Sequence, residues 1–231
     1  MKPSTILLAL VALVGLSGMV ANNLLLKQKY DKINWSRPYP TFRRQALPNT
    51  IRHVVIETFP VASVVIEAGD TARILVKPDL AIHLKTQQRA DTLFVQFMPP
   101  GELSSGGFRP RDMFSIPKEG VGLVLHLREL RSLTATDTWL ALKRFRPETL
   151  AITLNHSRLE ALLVSTVGGC RLAVNRGSWA QLGPNRFGSL AVSAPDSGLV
   201  QLLGTTAGVF TKTIAPSASV SLQGGALGLL R

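Results

Sequence analysis

Apolar and polar residues alternate along most of this chain, and from Leu130 onward the alternation recurs every 20 residues. Leu130–Leu142, Leu150–Leu162, Cys170–Leu182, Leu190–Leu202 and Phe210–Leu222 align without gaps. One column of that alignment reads Leu130, Leu150, Cys170, Leu190, Phe210, and another reads Leu142, Leu162, Leu182, Leu202, Leu222. A column of bulky residues reads Trp139, Leu159, Trp179, Leu199. A spacing of two, as in Leu150, Ile152 and Leu154, puts apolar side chains on one face of a strand. Asn155–Arg158, Asn175–Ser178 and Pro195–Gly198 carry turn chemistry, and a second strand follows each. Gly168, Gly188, Gly208 and Gly228 share a column, which predicts a corner that needs glycine. Such a unit cannot bury its apolar face alone, but stacked copies build one core.

The pattern therefore predicts an all-β chain: a single-stranded parallel β-helix, or β-solenoid, with about 20 residues per coil. A Greek-key sandwich is the competing arrangement of many short strands. The earlier half fits less regularly. Val54 and Ile56 are followed at the same spacing by Ile74 and Val76, while Leu93–Phe97 is about one residue out of frame. Pro, Gly and Ser between residues 98 and 121 predict a loop inserted in the β-domain.

The start of the chain breaks the alternation. Lys2 precedes an uncharged apolar run, Ile6–Leu26, which as a helix would extend roughly 31 Å, close to a bilayer core. Three readings stay open: a transmembrane anchor, a cleaved signal peptide and a buried helix. The expected organisation is an anchor or signal segment over 1–26, a tether over 27–50 and the β-domain over 51–231. The body is expected outside the inner membrane, periplasmic or surface-exposed.

Composition narrows the partners. A hydrophobic fraction of 45% excludes a disordered chain, and a single cysteine excludes a disulfide framework and a multi-cysteine zinc site. A net charge of +12 points to anionic partners, either glycan or lipid headgroup. Nucleic acid is not expected, because no aromatic RNA-binding motif is present and the N-terminal signal argues against access. Arg109 and Arg111 in the long loop, and Lys143, Arg144 and Arg146 between coils, are the candidate contacts.

Catalytic chemistry is hard to assemble from what remains. From Glu148 to the end the only acids are Glu148, Glu160 and Asp196, and the last two fall in different columns. His53, His83, His126 and His156 lack metal-ligand spacing, and Cys170 sits in an apolar column as a small hydrophobe. No enzyme, cofactor or metal is expected.

The N-terminal segment ending in Asn22–Lys32, the strand Ile51–Glu57, the stretch Val64–Asp70 and the Gly/Ser-rich repeats together resemble a known family. They resemble the auto-transporter adhesin head domains of the GIN type, from Bacteroidetes envelopes, over most of the chain. The resemblance implies a right-handed β-helix at the cell surface or in the periplasm, with no catalytic residues. The strong positive charge departs from it. The leading expectation is a non-catalytic envelope protein that adheres to, or binds, an anionic polymer. The alternatives are a membrane-anchored scaffold assembling end to end through an uncapped last coil, and a polysaccharide-active enzyme.

Overall fold

The computed structural model describes residues 3–31, 39–57, 62–97 and 120–230, with backbone alone for 3–12, 165–167 and 230. The chain divides into two units, Met1–Pro40 and Thr41–Arg231. In the first, a helix α1 runs Pro3–Asp31. Leu13, Val14, Leu16, Met19, Val20 and Leu24–Leu26 are all exposed on it, so its surface is apolar on every side. Among the described residues no helix is long and apolar enough to cross a membrane. The anchor expected over residues 6–26 is therefore not shown. Asn22, Asn23, Lys27, Gln28 and Lys29 dilute the C-terminal half of the helix.

The second unit is built from seventeen described strands. They are β1 (Arg43–Ala46), β2 (His53–Glu57), β3 (Ser63–Ala68), β4 (Arg73–Val76), β5 (Leu84–Arg89) and β6 (Thr92–Phe97). After residue 120 come β7 (Val121–Leu127), β8 (Ser132–Thr136), β9 (Trp139–Lys143), β10 (Thr149–Asn155), β11 (Arg158–Leu162) and β12 (Ser165–Asn175). Then follow β13 (Trp179–Leu182), β14 (Arg186–Ala194), β15 (Leu199–Leu203), β16 (Thr206–Ile214) and β17 (Ser219–Gln223). The first sheet has the order β1-β4-β7-β3-β9-β11-β13-β15-β17, and the second β16-β14-β12-β10-β8-β2-β6-β5. Their facing apolar rows form one core.

This corrects the expected fold. The chain is all-β in its body, but it forms two mixed sheets rather than a single-stranded parallel β-helix. In the first sheet β4 runs antiparallel to both β1 and β7, and in the second β5 runs antiparallel to β6. Strand order departs from chain order too: β7 lies between β3 and β4, and β2 lies between β6 and β8. The apparent repeat of Val54 and Ile56 at Ile74 and Val76 is thus a coincidence. Val54 and Ile56 pair with Leu93 and Val95, while Ile74 faces Leu125 across an antiparallel pair. Alternation tells which face a residue occupies and carries no information on strand direction. Direction follows from connections, and β5 and β6 are joined by a two-residue turn that permits only a hairpin. Ala90 has φ +53° in that turn.

The later half keeps parallel pairing. Leu150, Cys170, Leu190 and Phe210 are direct neighbours on β10, β12, β14 and β16. The glycines expected at a corner lie within these strands. A Cβ at Gly168 would come within 2.6 Å of the Glu148 carbonyl oxygen, and one at Gly208 within 2.8 Å of the Gly188 carbonyl oxygen. They are needed for backbone approach between neighbouring strands. Gly228, by contrast, has open space around it.

The last rung differs from the bare edge expected. A 3-10 turn, Gly224–Leu230, follows β17, with Ala226 fully buried and Leu229 packed on the core. In the row Ile152, Leu172, Val192 the next neighbour is Lys212, which is exposed. An inward row that ends in a cation opposes continuation by another strand, since a stacked copy would have to bury that charge. At the other extremes, β1 carries Arg43 and Arg44, and β5 carries Lys85 and Arg89, all exposed. We expect Lys212→Val to promote association through this end. Sedimentation velocity of the full chain in detergent should show concentration-dependent growth for the variant and none for the parent; identical behaviour would count against a guarding role.

Candidate functional site

The repeat frame changes within the second strands. Asn155 and Arg158 are separated by two residues, whereas Asn175 and Trp179 are separated by three. As a result Arg158 pairs with Trp139 on one side and Trp179 on the other, and Ala161 pairs with Leu142 and Leu182. The shorter turn is offset by an irregularity between Thr166 and Gly169, after which the spacing of 20 returns. Two columns of the ungapped alignment are therefore corrected, and a third fails at β8, where Ile152 pairs with Leu133 at a spacing of 19 and Leu130 is out of register with Leu150. Ala161, not Leu162, points into the core, and Leu162 and Leu163 are exposed at 37% and 62%. Arg158, not Leu159, lies in the row with the two tryptophans.

That row forms the centre of the site. On the outer face of the first sheet, Ser63, Trp139, Arg158, Trp179, Leu199 and Ser219 stand side by side. The Arg158 guanidinium lies 4.9 Å from the Trp139 ring centroid and 4.1 Å from that of Trp179. A cation held between two π faces is attracted to both, and Arg, being planar and weakly hydrated, suits the position. Both tryptophans are buried on a face that carries polar residues elsewhere, because each covers the guanidinium and is covered by it. Glu160 reaches Arg158 Nη2 at 3.5 Å from the next row. That second row reads Val65, Ala141, Glu160, Gln181, Gln201, Ser221.

A groove of about 300 Å³ opens beside Trp139. Ser63, Val65, Gly120, Lys143, Arg158 and Glu160 contribute to its lining. The small residues Ser63 and Ala141 leave the room, the ammonium and guanidinium supply positive charge, and Glu160 supplies one acceptor. The arrangement suits a polar ligand carrying negative charge.

The sequence candidates separate in space. Lys143 lines this groove. Arg144, next in the chain, has φ +62° and forms an ion pair with Glu67, which is buried at 7% exposure. That pair neutralises a buried carboxylate, so Arg144 is committed to the fold. Arg146 is exposed beyond the buried Phe145. Arg109 and Arg111 lie outside the described residues. Sequence reasoning missed Trp139, Arg158 and Trp179 as a cluster. Counting turn lengths between Asn155 and Arg158 was the available signal.

Several other titratable groups have structural partners. Asp196 accepts the Arg176 amide proton with both carboxylate oxygens at 2.7 Å. His156 Nδ1 lies 2.5 Å from Asp137 Oδ1, and His53 Nδ1 lies 2.6 Å from Ser132 Oγ. Cys170 is buried and its thiol is pushed up to about 12 by desolvation, which makes it a poor nucleophile. Among the described residues no group of three or more His, Cys, Asp and Glu side chains could hold a metal ion.

No family model matches the chain, and no curated protein matches it. Solved structures align with most of the chain at low identity. One is a protein from Parabacteroides distasonis provisionally named an adhesin, at 7% identity and a TM-score of 0.45, covering 79% of this chain and 95% of that one. Another, from Parabacteroides merdae and named in the same way, has 8% identity and a TM-score of 0.38, covering 78% and 95%. A third, from Parabacteroides distasonis and provisionally named a lipid-binding protein, has 9% identity and a TM-score of 0.35, covering 81% and 96%. Adhesin names recur among these structures, but the GIN type does not. At such identities and TM-scores they establish neither family nor function.

Two expectations follow from the geometry. Arg158→Ala should cost about 1–2 kcal/mol by removing the cation from two ring faces, and tryptophan emission should shift to the red as the rings meet water. Unchanged melting and emission would refute the stack. The second concerns His126 on β7, held below its ordinary 6.5 by burial and then by the Arg73 charge. Its register neighbours are Glu67 on β3, which is ion-paired to Arg144, and Arg73 on β4. Below that ordinary value the unfolded chain takes up the proton first, so His126's contribution is full above it and declines as pH falls through it. His126→Gln should flatten that part of a melting-temperature profile between pH 7.5 and 5; an unaltered slope would exclude the group.

Proposed function

We propose that this chain is a non-catalytic binding protein of the cell envelope that adheres to an extended anionic glycan through the outer face of its first sheet. The observation that carries this reading is the Trp139–Arg158–Trp179 row beside a groove bearing Lys143, with Glu160, Gln181 and Gln201 in the adjoining row. Polysaccharides present hydroxyls, apolar ring faces and, when acidic, carboxylates or sulfates. Amide side chains serve the first and the cations the third, while the two tryptophans hold the Arg158 guanidinium in place. Rows on successive parallel strands recur about every 4.8 Å, so a chain lying across the strands meets similar partners repeatedly. The net charge of +12 favours the approach of a polyanion.

Envelope placement is part of the proposal. It is supported by the apolar N-terminal segment, whose exposed residues on α1 call for a lipid or protein cover. A lipid surface is the other anionic partner considered. Glycan is preferred here because Lys143, Arg158 and Glu160 line the groove beside Trp139 and the amides of Gln181 and Gln201 follow in the adjoining row.

The test is titration of the full chain with polygalacturonate, heparin and neutral dextran. Binding is expected for the two acidic polymers and not for dextran. Lys143→Gln combined with Gln181→Ala should weaken it roughly tenfold, corresponding to about 1.4 kcal/mol. Equal affinity for dextran, or indifference to these substitutions, would sink the reading of this face.

A further inference from the structure

The second sheet carries another groove, on the outer face opposite to that of the first. It has a volume of about 310 Å³ and lies over β2, β5 and β6. Three rows define it. Lys85 is opposite Gln96, which is beside Glu57; Gln87 is opposite Phe94, which is beside Val55; and Arg89 is opposite Thr92. Phe94 is half-buried, so its ring forms a floor that a ligand can reach. The Arg89 guanidinium stands over that ring at 5.5 Å and donates from Nη2 to Gln87 Oε1 at 3.3 Å. Gln96 Nε2 donates to Glu57 at 2.7 Å, which occupies one oxygen of the only acid lining the groove among the described residues.

We infer that this groove is a second binding site, independent of the one beside Trp139, for an acidic sugar residue. It rests on the reading of the protein as a glycan binder. The aromatic floor accepts the apolar face of a pyranose ring, the amides of Gln87 and Gln96 accept and donate to hydroxyls, and Lys85 and Arg89 hold a carboxylate. Two cations against one engaged carboxylate set the preference for an anionic ligand. The apolar lining is confined to Val55, Phe94 and Val95, too little to shelter an acyl chain. Among the described strands β5 is the edge of its sheet, so the polymer can run past it without meeting another of them. Because the outer faces of the two sheets point away from one another, a chain with both sites occupied links two polymer strands.

The experiment uses the full chain and tetragalacturonate, a probe short enough for stoichiometry to be read by calorimetry. Three variants are compared with the parent: Phe94→Ala, Lys85→Gln with Arg89→Gln, and Lys143→Gln with Gln181→Ala. Circular dichroism monitors folding, and Lys85→Arg with Arg89→Lys provides a charge-preserving control. Two equivalents per chain are expected, with one of them weakened roughly tenfold in either second-sheet variant and restored by the control. Long polygalacturonate should be cross-linked by the parent, seen as light scattering, and bound without cross-linking by variants of either face. One equivalent, lost only on changing Lys143 and Gln181, would overturn this inference and leave the first-sheet reading standing. One equivalent, lost only on changing the second sheet, would uphold the inference and overturn the first-sheet reading. Neutral tetrasaccharide bound as well as the acidic one would overturn the acidic class, and no binding at all would overturn both.

Discussion

Everything in the body depends on backbone hydrogen bonding between parallel strands that are held in register by inward rows of apolar side chains. Leu150, Cys170, Leu190 and Phe210 form one such row, and Leu154, Val174, Ala194 and Ile214 another. Each strand buries its inner face only because the neighbouring strand buries the same face. A one-residue error in pairing would turn an apolar row outward. The spacing of 20 is the sequence trace of that requirement. It also sets the outer surface, because residues between the inward ones are carried outward in rows of their own.

The requirement acts on each strand and not on the chain's count, which explains what was and was not legible. Around β11 the preceding turn is a residue short, and the irregularity in β12 restores the frame. An ungapped alignment passes over both, since Leu159 and Leu162 look like acceptable column members. The structure uses Leu159 and Ala161 inward instead. The functional consequence is large: Arg158 enters a row of tryptophans, and the surface gains its cation between two rings. The rows on β10, β12, β14 and β16 were readable because the short turn and the irregularity cancel before the inward residues of β12. The polarity of β1, β4 and β5 was not readable, because alternation is the same in either direction.

The ends of the body show the same logic in reverse. A repeat seen as sequence has no reason to stop, and the nearly uncharged stretch after Leu222 looks like an open rung. The structure folds that stretch into a short turn that buries Ala226. It also places Lys212 where the pattern calls for Val or Leu. The residue that breaks the column is the one that ends it. Exposed arginines and lysines on β1 and β5 act likewise at the other edges.

Charge is where sequence proximity misleads most. Lys143, Arg144 and Arg146 are near neighbours in the chain and read as one basic cluster. In the fold they have three fates, because consecutive residues of a strand point to opposite faces and the strand ends between them. Lys143 stays on the outer row and faces the groove; Arg144, past the strand end with a positive φ, turns back to Glu67; Arg146 is exposed beyond Phe145. Glu67 is opposite Lys143 in the register and could have neutralised it. By taking Arg144 as its partner, the buried carboxylate has its counter-charge from outside the row. The groove beside Trp139 thus combines Lys143 and Arg158 with Glu160, a net positive lining produced by how one buried acid is satisfied.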